Sequence, residues 1–271
     1  MGQCSTLCFE FLKPVRKALV KSLSSTATPP QALVLAEQGE EGLTLDDIAR
    51  KHRTDKSSRY HNYAQFYDRI FSRIRGSRIK LLEVGIGTVV SEAPSSMNSY
   101  VKKYKPGASL RMWAEYFPNA SLIAGIDTQA DRMFREGSIN TALADSRCST
   151  SVSEAMAKLN CETFDIILDD GLHEQPAQID TLRSLLNYLS AEGVYIIEDI
   201  RRPFLLLPKI KEILPNHRFH VETLAKLNPK KRLPDTNIIL VLPPDLEQAQ
   251  KGTGANSVKE SLVIDEGYGT R

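Results

Sequence analysis

Two short acidic runs carry the strongest chemical signal in this sequence, Asp169-Asp170-Gly171-Leu172-His173 and Glu198-Asp199. Each follows an apolar stretch that reads as a buried strand, Phe164 to Leu168 before the first and Val194 to Ile197 before the second. Neighbouring parallel strands would bring three or four carboxylates to one rim. Crowded carboxylates repel and raise one another's pKa values unless a cation lies between them. An all-oxygen donor set suits Mg²⁺, Mn²⁺ or Ca²⁺ better than zinc. His173 follows Asp170 on the same loop, where a neutral imidazole could take a proton from a hydroxyl polarised by the metal.

Further acids end the earlier strands. Glu83-Val84-Gly85-Ile86-Gly87-Thr88 places an acid and two glycines at a strand end, and glycine lets a ligand approach the backbone closely. The third glycine of a dinucleotide fingerprint is missing, and the next helix begins some way downstream. A pyrophosphate needs a helix N-terminus directly after the loop, so a nicotinamide cofactor is disfavoured. A ligand without phosphate, such as S-adenosylmethionine, fits better, with Glu83 holding its ammonium group. Asp127 ends the second strand, where a carboxylate can accept from both ribose hydroxyls. Asp145 and Ser146 end the third, where an adenine amino group can be read. Taken singly, each acid also fits a solvated turn. Their succession on consecutive strands is what points to a ligand.

Positioning these groups requires a particular scaffold. Apolar runs at Ile79 to Val84, Ser121 to Ile126, Asn140 to Ala144, Phe164 to Leu168 and Val194 to Ile197 alternate with helical patterns at Leu110 to Phe117, Ser153 to Leu159, Ile179 to Leu189 and around Leu206 to Leu214. Two late strands are expected at His217 to Leu224 and Thr236 to Leu242. Continuous apolar strands separated by helices predict a doubly wound α/β fold with a parallel sheet covered on both faces. Such sheets bind ligands at the C-terminal ends of their strands. Thr44 and Asp47 predict a capping box. Ser109 is expected to cap the Leu110 helix through its hydroxyl. In the helix His61 to Arg75, Tyr63, Phe66, Tyr67, Ile70 and Phe71 form a stripe expected mostly to pack against the sheet.

The bulk properties bound the rest. The 271 residues carry 35 basic and 33 acidic side chains, a net charge of +2 that gives no support to nucleic-acid coating. No apolar run is long enough to span a membrane. Cys4, Cys8, Cys148 and Cys161 match no zinc spacing and suggest a reducing, cytoplasmic setting. Residues 1–42 are expected to be a flexible segment, 43–243 the catalytic domain and 244–271 a polar tail. The start, Met1-Gly2-Gln3-Cys4, matches an N-myristoylation pattern, with Cys4 and Cys8 as palmitoylation candidates. With the basic stretch that follows, acylation there would give peripheral membrane association.

Asp55-Lys56, His61-Asn62-Tyr63, Leu82 to Gly87, Gly107 to Trp113, Phe117 to Ala120, Gly125-Ile126-Asp127, Asp169-Asp170-Gly171, His173 and Glu198-Asp199 together resemble one group. It is the class I S-adenosylmethionine-dependent O-methyltransferases of the mycinamicin 2''-O-methyltransferase type, which act on sugar hydroxyls in secondary metabolism. The resemblance covers about residues 43–243. It implies a Rossmann-like, mostly parallel seven-stranded sheet with an antiparallel last strand. It implies Mg²⁺ held by Asp170, Glu198 and Asp199, with His173 as general base. The methyl donor would lie over Glu83, Gly85 and Gly87, with its ribose on Asp127, its adenine near Asp145 and Ser146, and Ser109 beside its methionine end. The Asp55 to Tyr63 segment would close over it as a lid. The acceptor would be a sugar or another diol-bearing small molecule.

Three departures bear on the acceptor and on assembly. Leu172 stands where the group usually has serine, and Ile200-Arg201-Arg202-Pro203-Phe204 replaces the expected small-polar and aromatic run. Residues 1–42 are unlike the extra domain that helps the macrolide enzymes build an oligomer, which leaves homo-oligomer formation open. Arg201, Arg202 and Lys230-Lys231-Arg232 could face an acidic acceptor or simply form a solvated basic surface. A second reading of the chain is a methyltransferase-fold binding protein recruited to a membrane by its N-terminus.

Overall fold

A computed structural model describes residues 42–91, 96–98, 100–224 and 236–244. The expectations for Gly2, Cys4, Cys8, the Lys230-Lys231-Arg232 run and the tail beyond Pro244 fall outside these residues. Eight strands form one sheet: β1 Lys80–Val84, β2 Leu122–Asp127, β3 Arg135–Glu136, β4 Ile139–Leu143, β5 Phe164–Asp169, β6 Leu189–Ile200, β7 Arg218–Thr223 and β8 Asn237–Leu242, in the order β3-β4-β2-β1-β5-β6-β8-β7. Strands β4, β2, β1, β5 and β6 run parallel, and β8 is antiparallel to both β6 and β7. The expected seven strands are present with an antiparallel last strand. The eighth is the two-residue β3 at the edge, too short to show a periodicity.

Helices α1 Leu45–His52, α2 Tyr63–Phe71 and α3 Ala108–Tyr116 cover one face, and α4 Ser149–Leu159, α5 Gln175–Leu185 and α6 Pro203–Ile213 cover the other. The central strands β1, β2 and β5 carry buried apolar residues on both sides, as burial on two faces demands, whereas β4 nearer the edge includes the half-buried Asn140 and Thr141. Leu81, Ile123 and Ile166 pack beneath Trp113, Phe71 and Tyr67 on the first face. Leu82, Ala124 and Ile167 meet Val152, Leu182 and Leu206 on the second.

Helix α1 starts at the expected capping box, with Asp47 N–H donating to Thr44 Oγ1 and Thr44 N–H donating to Asp47 Oδ2, both at 3.2 Å. The expected cap at Ser109 is corrected. Helix α3 begins two residues earlier, and its N-cap is Gly107 in the left-handed conformation, with no side-chain cap. Glycine enters that conformation without the Cβ clash that other residues pay, so the backbone makes the turn and Ser109 lies inside the helix. Strand β6 is also longer than predicted. It carries Glu198 and Asp199 within it, where an interruption in the pairing with β8 between Ile197 and Ile200 marks an irregularity.

Candidate functional site

Regular strand geometry would send Glu198 and Asp199 to opposite faces of the sheet. Asp199 instead has φ +53°, a left-handed backbone rare for a residue with a side chain, at the irregularity in β6. Such distortions re-aim side chains next to functional sites. Both carboxylates here reach partners supplied by the segment before α2 and by α2 itself. Asp170 directly follows the β5 residue Asp169, which is level with Ile197 of β6, and its N–H donates to the Val84 carbonyl of β1 at 3.1 Å.

The partners are residues that the sequence reading did not count as site residues. Lys56 is only 1% exposed. Its ammonium donates to Asp170 Oδ2 at 2.8 Å and Glu198 Oε2 at 2.5 Å, and lies 3.2 Å from Glu83 Oε1. Burial works against the charge on Lys56, but the three carboxylates outweigh it and hold the pKa well above the usual lysine value. Tyr63 and Tyr67, expected as packing residues, do pack, and they also donate their hydroxyls to Asp199 and Glu198 respectively. Tyrosine rather than phenylalanine at these two positions, one helical turn apart, was the available signal. His61 Nδ1 lies 3.3 Å from Asp199 Oδ1.

What remains open is a group of three. Asp170, His173 and Asp199 each offer one ligand atom, and these atoms lie within 4.8 Å of one another. His173 Nε2 is 3.3 Å from Asp170 Oδ1 and 3.4 Å from Asp199 Oδ2. Burial disfavours the charged imidazole, but the Asp170 hydrogen bond and the Asp199 charge push its pKa up to about 9. Burial pushes Asp199 up to about 6, against the pull of His61. Burial would also raise Asp170, but Lys56 and His173 hold it well below the usual carboxylate range. Two carboxylate oxygens converging on one point, with a ring nitrogen beside them, fit an oxygen-ligated divalent cation with a base at its edge. Glu198 is placed differently, with one oxygen on Lys56 and the other on Tyr67. Asp169 is buried, and the Tyr195 hydroxyl lies 3.5 Å from its Oδ2.

The donor-side residues divide. Glu83 is fully buried and neither of its oxygens has a well-formed hydrogen bond. Burial pushes its pKa up to about 7, against the opposing Lys56 charge. A buried carboxylate with free acceptor capacity suits a cationic ligand group, and Ser109 lies beside it. Gly85, at φ +88°, is explained by the chain itself, since a Cβ there would overlap the backbone carbonyl of Asp170. At Gly87 a Cβ would overlap the Tyr104 hydroxyl. Asp127 is occupied. Arg132 Nη1 lies 2.7 Å from both its oxygens, and the N–H groups of Ile86 and Gln129 donate to it at 2.9 and 3.1 Å. Asp145 is paired with Arg147 at 2.8–2.9 Å, and Ser146 shares a 2.8 Å hydroxyl contact with Thr181. Leu172, between Asp170 and His173 in the chain, is 51% exposed, and Phe204, in the first turn of α6, is 70% exposed. Arg201 and Arg202 are exposed at the start of α6.

Comparison with known proteins follows the same lines. No family model matches the chain. Over 174 residues it is 26% identical to the 8-demethyl-8-alpha-L-rhamnosyl tetracenomycin-C 2'-O-methyltransferase of Streptomyces olivaceus, covering 64% of this chain and 42% of that protein. Over 156 residues it is 29% identical to the demethylmacrocin O-methyltransferase of Streptomyces fradiae, covering 58% and 36%. It is 28% identical over 167 residues to the mycinamicin VI 2''-O-methyltransferase of Micromonospora griseorubida, covering 62% and 38%. The chain resembles the sugar O-methyltransferases of polyketide glycosides. It spans less than half the length of these curated relatives. Among solved structures, the MycE methyltransferase of the mycinamycin biosynthetic pathway, in complex with Mg and SAH, superposes with a TM-score of 0.58 at 21% identity, covering 77% of this chain and 57% of that one. The same enzyme with Mg, SAH and mycinamycin VI gives 0.58 at 22% identity, with the same coverage. The fold is that of the Rossmann-like methyltransferases.

Proposed function

We propose that this protein is an S-adenosylmethionine-dependent O-methyltransferase that requires a divalent cation and methylates a hydroxyl of a sugar or another diol-bearing small molecule. The observation that carries the reading is the convergence of Asp170, His173 and Asp199 at the C-terminal rim of the sheet. The buried Glu83, with acceptor capacity to spare, stands on the adjoining strand. The relatives named above methylate sugar hydroxyls, and the superposed structure holds Mg and SAH.

Asp170 and Asp199 would hold the cation, with Glu198 the third acid that the resemblance implies. Bound there, a divalent ion supplies positive charge that lowers the pKa of a coordinated hydroxyl, while the donor supplies an electrophilic methyl group. The chain's own residues do the remaining work. Asp170 and Asp199 keep His173 charged in the arrangement described. Once their charge is satisfied elsewhere, the imidazole loses its reason to hold a proton, and Nε2 can accept one from the acceptor hydroxyl. Glu83 orients the cationic end of the donor, and the rigid sheet fixes the two subsites relative to each other.

Turnover with radiolabelled S-adenosylmethionine and a panel of glycosides tests this. EDTA should abolish turnover and Mg²⁺ should restore it. His173→Ala should lose turnover while binding S-adenosylhomocysteine as the parent does, measured by calorimetry. Full activity in EDTA would remove the metal from the proposal.

A further inference from the structure

The 53–62 segment has a second side. Lys56 and His61 turn toward the carboxylates, whereas Arg53, Arg59 and Tyr60 help line a cleft of about 730 Å³ that Tyr100, Lys102 and Lys103 complete. Among the described residues Arg53, Arg59, Lys102 and Lys103 have no ion-pair partner. The other two cations of the wall are already engaged, Arg50 with Asp46 at 2.6 Å and Lys51 with Glu115 at 2.7 Å. A concave surface with those four cations and no acid among its described lining residues concentrates anions. Guanidinium forks match phosphate oxygens two at a time.

Size and shape narrow the ligand. The cleft has the volume of a pocket for a whole small molecule, larger than one phosphate requires. The Tyr60 and Tyr100 rings lie together at its wall, with centroids 5.1 Å apart and tilted by 49°. Such a pair offers an aromatic surface to a planar base. Buried His61 stands between the cleft and the candidate active site. Tyr100 Oη is 3.3 Å from His61 Nε2, and His61 Nδ1 is 3.3 Å from Asp199. Ser57 of the wall directly follows Lys56.

We propose that this cleft binds a nucleoside diphosphate, with the base against the Tyr60–Tyr100 pair and the diphosphate among Arg53, Arg59, Lys102 and Lys103. Occupation of the cleft does not rest on the O-methyltransferase reading.

Calorimetry on the full chain in EDTA tests it, with UDP-glucose, UDP and inorganic phosphate as probes and S-adenosylhomocysteine as a separate arm. UDP and UDP-glucose should bind, inorganic phosphate should bind much more weakly, and added salt should weaken all three. The double variant Arg59→Glu, Lys102→Glu changes two exposed residues. It should lower UDP affinity by at least about tenfold, with circular dichroism and S-adenosylhomocysteine affinity unchanged. Tyr60→Leu should weaken UDP and leave phosphate alone. Absence of UDP binding by the parent, or equal binding by the double variant, overturns the assignment. Inorganic phosphate binding as tightly as UDP overturns it too, since the cleft would then recognise phosphate alone. UDP binding without S-adenosylhomocysteine binding would sink the methyltransferase reading and leave the cleft assigned.

Discussion

The acids ending β2 and β4 and those ending β5 and β6 stand on the same rim of one sheet, yet they are neutralised in opposite ways. Asp127 is met by Arg132 five residues on, and Asp145 by Arg147 two residues on. These are local solutions, made within one turn of chain. Asp170 and Glu198 are met by Lys56, 114 and 142 residues away in sequence, and Asp199 by Tyr63 at a separation of 136. A local arginine satisfies a carboxylate and closes the matter. A distant lysine and two distant tyrosines gather several carboxylates at one point and leave an opening on one side. Cation-binding chemistry belongs to the second kind of arrangement, and a solvated or braced turn belongs to the first.

The sharpest way to break this contrast is Lys56→Met. Removing the ammonium leaves Glu83 and Glu198 buried without a counter-charge and Asp170 with His173 alone, and the expected loss is about 3–5 kcal/mol in urea unfolding. Added Mn²⁺ should recover more stability in this variant than in the parent. Unchanged stability would mean that the long-range ion cluster is not what holds the rim together. Next in size is Arg132→Met, which strands the buried Asp127 and should cost about 3 kcal/mol in the same measurement. It also sharpens the donor assignment. If Asp127 receives the ribose, S-adenosylhomocysteine should stabilise this variant more than it stabilises the parent.

A smaller loss is expected for Tyr67→Phe, which removes one hydrogen bond to the Glu198 carboxylate, about 2 kcal/mol by chemical denaturation. The effect should disappear in a Glu198→Gln background if the two groups act as a pair. The smallest effect belongs to Asp145→Asn. Its hydrogen bonds to Arg147 hold the Asp145 carboxyl below its ordinary pKa, with burial opposing weakly. A folded-state pKa below the unfolded value gives stability that is present above the unfolded pKa and lost as pH falls through the folded one. The variant and parent should therefore differ slightly in Tm at pH 7 and converge below about pH 3. A difference that persists in acid would show that something other than this charge pair is at work.

Much of this arrangement is legible in the chain as written. The alternation of apolar strands and helices gives the sheet, and the acids following β5 and within β6 mark the rim, because strand burial and strand-end chemistry are both local in sequence. Lys56 was visible only as part of a resemblance. Nothing about a lone lysine beside an aspartate says that it will be buried among three acids. Ser109 misled for a related reason, since a hydroxyl near a helix start ordinarily caps it, whereas here the left-handed Gly107 makes the turn. The irregularity in β6 was equally hidden. Asp199 takes a positive φ where its carboxylate is held by Tyr63 and faces His61 and His173, partners that are distant in sequence. The arginines beside Asp127 and Asp145 were present in the sequence all along, and their nearness to those acids was the clue to how the acids are neutralised.

The distances along the chain between Lys56 and its partners also set an order of events during synthesis. A ribosome releases Lys56, His61 and Tyr63 long before it releases Glu198 and Asp199. Until β6 emerges, the segment that carries them has no carboxylates of that strand to close upon, and closing so long a loop is slow. A nascent chain halted before β6 can form α1 to α3 and pair β1 with β2, but it cannot assemble the rim. The acidic rim therefore forms only after β6 has been made, and until then the segment that carries Arg53, Lys56 and Arg59 is without the acids of that strand.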